Sequence, residues 1–277
     1  MEDPGVNRAE IPGQAKKRSD GVTLILIPLL NVIVWLLENY LLAGNPPLFE
    51  KATLPGLVIY TVLSCIVLGI LVPIVRIRAA FLSGAVNMFQ IGFRSLRRTV
   101  AAVSLTVLAV YVGFILMSLS GQGPDRVTGA ALFILLFPTA IAAVMICWVL
   151  VGTHVQAYVR SGGVIISVFT GVLLTGLIFA ISMSALFAGA DLQEMFTGFF
   201  AVGCVAAVFF FAVRDIYATI IVITAGLVVL QNSRIDQAYL VPVNPVVALC
   251  GILTTGVLVG IHGYFSRNYK TVKFPGK

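Results

Sequence analysis

Glu38 lies inside an apolar run long enough to cross a lipid bilayer, followed by a break at Gly44 to Pro47. A carboxylate near the middle of such a helix costs roughly 2.5 to 3.5 kcal/mol on insertion scales, so acids there turn toward a bundle interior or an aqueous cavity, where they serve as proton sites. Asn31, Trp35 and Glu38 recur at spacings of four and three and so share one helical face. Glu38 is also only about five residues, or roughly 7 to 8 Å, from the outer end of its run. The alternative is an outer-rim acid that reaches the headgroups.

Arg214 and Asp215 form the second candidate. Neighbours on a helix point about 100 degrees apart, so the two cannot pair face to face. At a solvated turn they are ordinary loop charges. Within the bilayer they need partners on other helices and become a gating or substrate site.

His154 and His262 fall near span ends on the same membrane side, where a metal or proton relay is conceivable. Two ligands do not make a site, no carboxylate adjoins them, and the simpler expectation is two interfacial imidazoles facing headgroups or water. Cys65, Cys147, Cys204 and Cys250 lie in four different apolar runs with no C-x-x-C, which argues for small apolar packing residues rather than a disulfide framework or zinc site. No cofactor or metal is expected. No Lys occurs between Lys51 and Lys270 to form a retinal Schiff base, two interfacial histidines do not make an intramembrane bis-histidine haem, and H-E-x-x-H, G-x-S-x-G and P-loop patterns are missing. ATP coupling would have to come from another chain.

The elements that carry these residues follow from composition. Hydrophobic residues make up 59% of the 277 and charged residues 10%, a balance that no water-soluble fold could bury. A helix crosses the roughly 30 Å hydrocarbon core in about 20 residues. The expected fold is an all-α polytopic transmembrane bundle of about eight spans, near 22–43, 54–75, 99–120, 127–151, 163–188, 195–213, 216–231 and 240–261, within a domain covering 21–262. Residues 195–231 are almost twice what one crossing needs, so they are read as a helical hairpin with Arg214 and Asp215 at its apex; one long helix is the alternative. Residues 1–20 read as a flexible cytoplasmic tail and 263–277 as a basic cytoplasmic tail. The first span should stay in place as a signal anchor.

Charge distribution orients this bundle. Eight spans place fifteen of the eighteen Lys and Arg on one side and three (Lys51, Arg126 and Arg234) on the other. Short cytoplasmic segments carry such excess, so both termini are expected inside the cell, in a cell membrane. Anchoring against anionic lipid accounts for the net charge of +7 and makes nucleic acid an unneeded partner. Arg76, Arg78, Arg94, Arg97 and Arg98 crowd the second cytoplasmic loop, where Ser83, Asn87, Gln90, Arg94 and Arg97 oppose Phe81, Ala85, Met88, Phe89, Phe93 and Leu96. That pattern predicts an interfacial amphipathic helix over 79–96, anchored in lipid or docking a cytoplasmic partner subunit at 79–98.

Small residues mark packing, because helices in lipid gain little from burying apolar surface and depend on close approach. Gly256 and Gly260 have GxxxG spacing, with Ser167, Gly171 and Thr175, and Gly203 and Ala207, as further stripes; intrachain packing is expected, a dimer interface being the alternative. The expected function is a transporter, permease or membrane subunit of a larger translocator. The competing class is a membrane enzyme acting on lipid-linked substrates, or an assembly scaffold.

Overall fold

Lipid offers no hydrogen bonds to the backbone, so an apolar run that enters it must satisfy its own N–H and C=O groups as a helix. The computed structural model describes residues 14–43, 54–82, 88–121, 123, 126–159, 162–187, 192–232 and 245–268, and every regular element among them is helical. These are α1 (Gln14–Ala43), α2 (Leu54–Tyr60), π1 (Thr61–Leu71), α3 (Val72–Leu82), α4 (Met88–Ile91), α5 (Leu96–Leu119), α6 (Arg126–Ala143), π2 (Val144–Gly152), α7 (Thr153–Val159), α8 (Val164–Leu186), α9 (Leu192–Val213), α10 (Ile216–Gln231) and α11 (Pro245–Asn268). The chain is continuously helical through α2, π1 and α3, and again through α6, π2 and α7.

Six helices among the described residues are long and apolar enough to cross a membrane: Pro55–Phe81, Leu96–Leu119, Val127–Val159, Val164–Leu186, Met195–Val213 and Pro245–Arg267. Of about eight spans expected, six are long enough to cross, and two shorter apolar helices, Leu26–Leu41 and Ile216–Gln231, accompany them. Leu105 and Ile165 are 69% and 85% exposed. Large apolar side chains turned outward in this way suit lipid rather than water, and fit a multi-pass membrane protein.

The Val127–Val159 helix is the central post, with 83% of its apolar window buried, whereas the corresponding figure for α5 is 6%. Two stretches of this bundle widen to π geometry, nine residues in π2 and eleven in π1. Pro73 lies just beyond π1. A proline removes one N–H from a lipid-embedded ladder, and local widening is one way to re-satisfy the freed carbonyls.

The 195–231 stretch is a hairpin. A Cβ on Gly226 would lie 2.6 Å from Val202, and one on Gly198 2.9 Å from Leu230, so both pairs are centred on position 214 and α9 and α10 run antiparallel. Arg214 ends α9 with φ 54, the only positive φ at a non-glycine among the described residues. Asp215 is extended (φ −132, ψ 121) and starts α10 by accepting from Ala218 N, so the turn needs no glycine or proline.

Three other expectations are revised. The flexible tail lies outside the described residues up to position 13, but α1 already begins at Gln14, where Gln-Ala-Lys-Lys-Arg are all good helix formers. The basic C-terminal tail is helical as far as Asn268 and lies outside the described residues from 269 onward. The amphipathic helix over 79–96 is not one helix: α3 ends at Leu82, α4 spans only Met88–Ile91, and residues 92–95 are irregular, with Gly92 at φ 91. Residues 83–87 lie outside the described set. Ile91 and Phe93 are buried in protein rather than laid against lipid.

Candidate functional site

Two polar clusters stand out, one at the cation-rich end of the bundle and one in its interior. The first is built where the 90–95 segment wedges beneath the hairpin apex. Gly92 O accepts from Ile216 N at 3.4 Å, and Arg94 Nε donates to Arg214 O at 2.9 Å. Phe93 stacks on His262 at 4.9 Å, and His262 in turn reaches Arg94 O (2.9 Å) through Nε2 and Tyr217 OH (3.1 Å) through Nδ1. One segment thus ties α9, α10 and α11 together.

Arg214 and Asp215 point apart, as neighbours must. Asp215 is fully buried, and its carboxylate takes Thr99 Oγ1 at 2.8 Å and Ala218 N at 3.0 Å. Arg214, 9% exposed, sends Nη2 to Gln156 Oε1 at 2.6 Å and Nη1 to Gln90 O at 3.3 Å. Its guanidinium also sits 5.0 Å from the Phe211 ring centroid and 5.7 Å from that of Phe210, within cation–π range. Burial, with the nearby Arg94 charge adding to it, pulls its pKa down to about 10, so it stays charged at neutral pH. These are therefore not loop charges at a solvated turn. Beside them a cavity of about 170 Å³ opens between Gln90, Gln156, Arg214 and the first turn of α8, namely Gly163, Val164 and Ser167.

The second cluster follows the buried seam of α1: Asn31, Val32, Trp35 and Asn39. The repeat of four picks Asn39, fully buried, over Glu38, which sits half-buried at the edge of the seam near Ser64. Asn31 Nδ2, Trp35 Nε1, Glu38 Oε2, Ser64 Oγ and both amide atoms of Asn39 are buried with no well-formed hydrogen bond among the described residues, Glu38 and Ser64 lying within reach of each other. Close by, Tyr60 OH and Thr139 Oγ1 share a hydrogen bond at 3.1 Å.

The remaining candidates separate. Arg76, Arg78, Arg97 and Arg98 are exposed, with Arg78 6.0 Å over the Tyr264 ring, while Arg94 alone of the five joins the first cluster. His154 and His262 do not meet. His154 is 4% exposed and bonds Leu150 O at 2.7 Å on its own helix, so it does not face headgroups as expected, while His262 is half-buried with both ring nitrogens bonded within the protein. No group of three or more His, Cys, Asp or Glu that could hold a metal occurs among the described residues. Gly256 and Gly260 are exposed with nothing within 4 Å, so they pack against no helix among the described residues; close helix–helix approaches fall instead at Gly69, Gly176, Gly198, Gly203 and Gly226. Sequence reasoning missed Thr99, Gln156, Ser64 and Asn39, and named Gln90 only on the polar face of the 79–96 segment. For Gln156 and Asn39 a signal existed, since each is an amide in an otherwise apolar stretch.

No known protein family, curated protein or solved structure matches this chain.

Proposed function

We propose that this chain is a transport protein of the cell membrane, a permease or the membrane subunit of a larger translocator. The observation that carries the reading is the row of buried polar atoms along the α1 seam, from Asn31 to Asn39 with Ser64 beside Glu38, that have no well-formed hydrogen bond among the described residues. An unmade hydrogen bond on a buried polar group costs about 1 to 3 kcal/mol, and more in lipid, so a dry scaffold has no reason to keep several together. A path for water or a polar solute gives them partners. Glu38, at the edge of that path, is its candidate proton or charge site, and Glu38→Gln should change transport or its pH dependence.

Cysteine accessibility tests the reading without knowledge of the solute. In a background lacking the four native cysteines, Ser64→Cys and Asn39→Cys should react with a small membrane-impermeant thiosulfonate, while a cysteine at the lipid-facing Leu63 should not. A folded protein in which both seam cysteines stay unreactive would end the transport reading in favour of a scaffold.

The orientation belongs to the same proposal: both termini and the Arg214 apex face the cytoplasm, supported by the fifteen-to-three division of cations. Exposed Arg76, Arg78, Arg97 and Arg98 then lie at anionic lipid or at a partner subunit. A cysteine placed at Lys273 should be protected from an impermeant label added to intact cells. Labelling from outside would invert the topology.

A further inference from the structure

The cavity beside Arg214 contains a positive charge that the described residues do not neutralise. Both acceptors of its guanidinium are neutral, the Gln156 amide and the Gln90 carbonyl. A guanidinium carries five N–H donors, and these two bonds leave the others for the cavity. Asp215, next in sequence, has one carboxylate oxygen on Thr99 and the other on Ala218 N, so it serves α10 rather than Arg214. Arg94, whose charge also acts on Arg214, adds to the imbalance. A buried cation without a counter-ion is expensive, by several kcal/mol.

A second feature of the same cavity points the same way. Its wall includes Gly163 and Val164, where the 23-residue α8 begins. Gly163, with φ 93 and ψ 166, supplies no side-chain cap, and the first bond of the helical ladder runs from Ser167 N to Gly163 O. The N–H groups of Val164, Ile165 and Ile166 thus have no acceptor among the described residues. A helix start presents about half a positive charge together with free donors, the usual setting for an oxyanion.

We infer that this cavity binds a phosphate group, held by the Arg214 guanidinium, the backbone N–H groups that open α8 and the Ser167 hydroxyl, which would exchange its long 3.4 Å bond to Gln156 O for the anion. The guanidinium fork matches two oxygens of a tetrahedral anion, leaving the others to the helix start. At about 30 Å³ per water, the cavity has the room of roughly five waters, enough for one such group. Two sources share this chemistry, free phosphate and a phospholipid headgroup. The mouth suits the second as well, because Val164 and Ile165 are 80% and 85% exposed beside it and offer an apolar track for acyl chains. The inference does not rest on the transport reading.

The test uses the full chain, purified in detergent and in vesicles of phosphatidylcholine mixed with phosphatidylglycerol. Binding of inorganic phosphate is measured by calorimetry, and co-purifying lipid by mass spectrometry. Phosphate binding by delipidated protein assigns a soluble anion; selective retention of phosphatidylglycerol without phosphate binding assigns a headgroup. Either affinity should fall at least tenfold in Arg214→Gln, which removes the charge, and in Ser167→Leu, which fills the cavity and leaves the Arg214 bonds in place. If Arg214→Gln fails to fold, Ser167→Leu decides alone. Wild-type protein that binds no phosphate and retains both lipids equally would overturn the inference, as would wild-type affinity in the folded variants.

Discussion

Asp215→Ala should destabilise the folded bundle by about 3 kcal/mol, from the loss of an N-cap at about 1 and of a charge-assisted bond at about 1.5 to 3. The carboxylate is fully buried and does two things at once: Oδ1 starts α10 by accepting Ala218 N, and Oδ2 holds Thr99 on α5. With alanine, the Thr99 hydroxyl and an α10 N–H lose their acceptor at buried positions. α10 is the shorter arm of the hairpin, 16 residues, so a poor start is a large fraction of its length. Asp215→Asn keeps the capping oxygen and can turn its amide to the Thr99 hydroxyl, and should lose less than half as much. Thermal unfolding in detergent reads the ranking wild type, Asn, Ala. A Thr99→Ala cycle with Asp215→Ala should show a coupling of at least about 0.5 kcal/mol. An Asp215→Ala protein within 0.5 kcal/mol of wild type would show that the cap is dispensable.

The hairpin was legible because length and charge agree: a 37-residue apolar stretch is too long for one crossing, and its two charges sit at the middle. What the charges touch was not legible. Thr99 and Gln156 lie 116 and 58 residues from their partners, and periodicity carries no information at that range. The 79–96 segment shows how periodicity misleads when a single backbone angle decides. Its apolar residues do recur with helical spacing, yet Gly92 occupies a left-handed conformation, and a Cβ there would lie 3.1 Å from both Ile216 and Phe210. The chain turns at Gly92 and sends Phe93 against His262 and Phe265. An apolar face can dock on protein as well as on lipid, and its spacing is the same in both cases. The α1 stripe failed by one residue for a related reason. Steps of three and four stay on one face, so Glu38 and Asn39 were equally allowed, and only the neighbouring helices choose between them.

Glycine spacing has the same blind spot, and this gives the other large effect. Gly203→Leu should abolish the folded, monodisperse protein in detergent, whereas Gly256→Leu should leave it as wild type. A Cβ on Gly203 would stand 2.9 Å from the Phe179 ring, 3.0 Å from Gly176 Cα and 3.1 Å from Gly176 O. Two of those atoms are backbone of α8, which cannot turn aside as a flexible side chain can. Gly176 meets α9 just as closely, with its own Cβ position 2.7 Å from Cys204 Sγ. Leucine therefore requires α8 and α9 to separate along their whole crossing, beyond the 1 to 3 kcal/mol typical of an overpacked core. In lipid that loss is not recovered by burying the leucine elsewhere, since helix association there depends on close contact rather than on the hydrophobic effect. Gly256 has the more recognisable motif spacing, with Gly260 four residues on, but it faces outward with nothing within 4 Å. Size-exclusion chromatography with fluorescence detection compares the two. A monodisperse Gly203→Leu protein beside a collapsed Gly256→Leu protein would mean that α11, and not the α8–α9 crossing, is where the helices pack most closely.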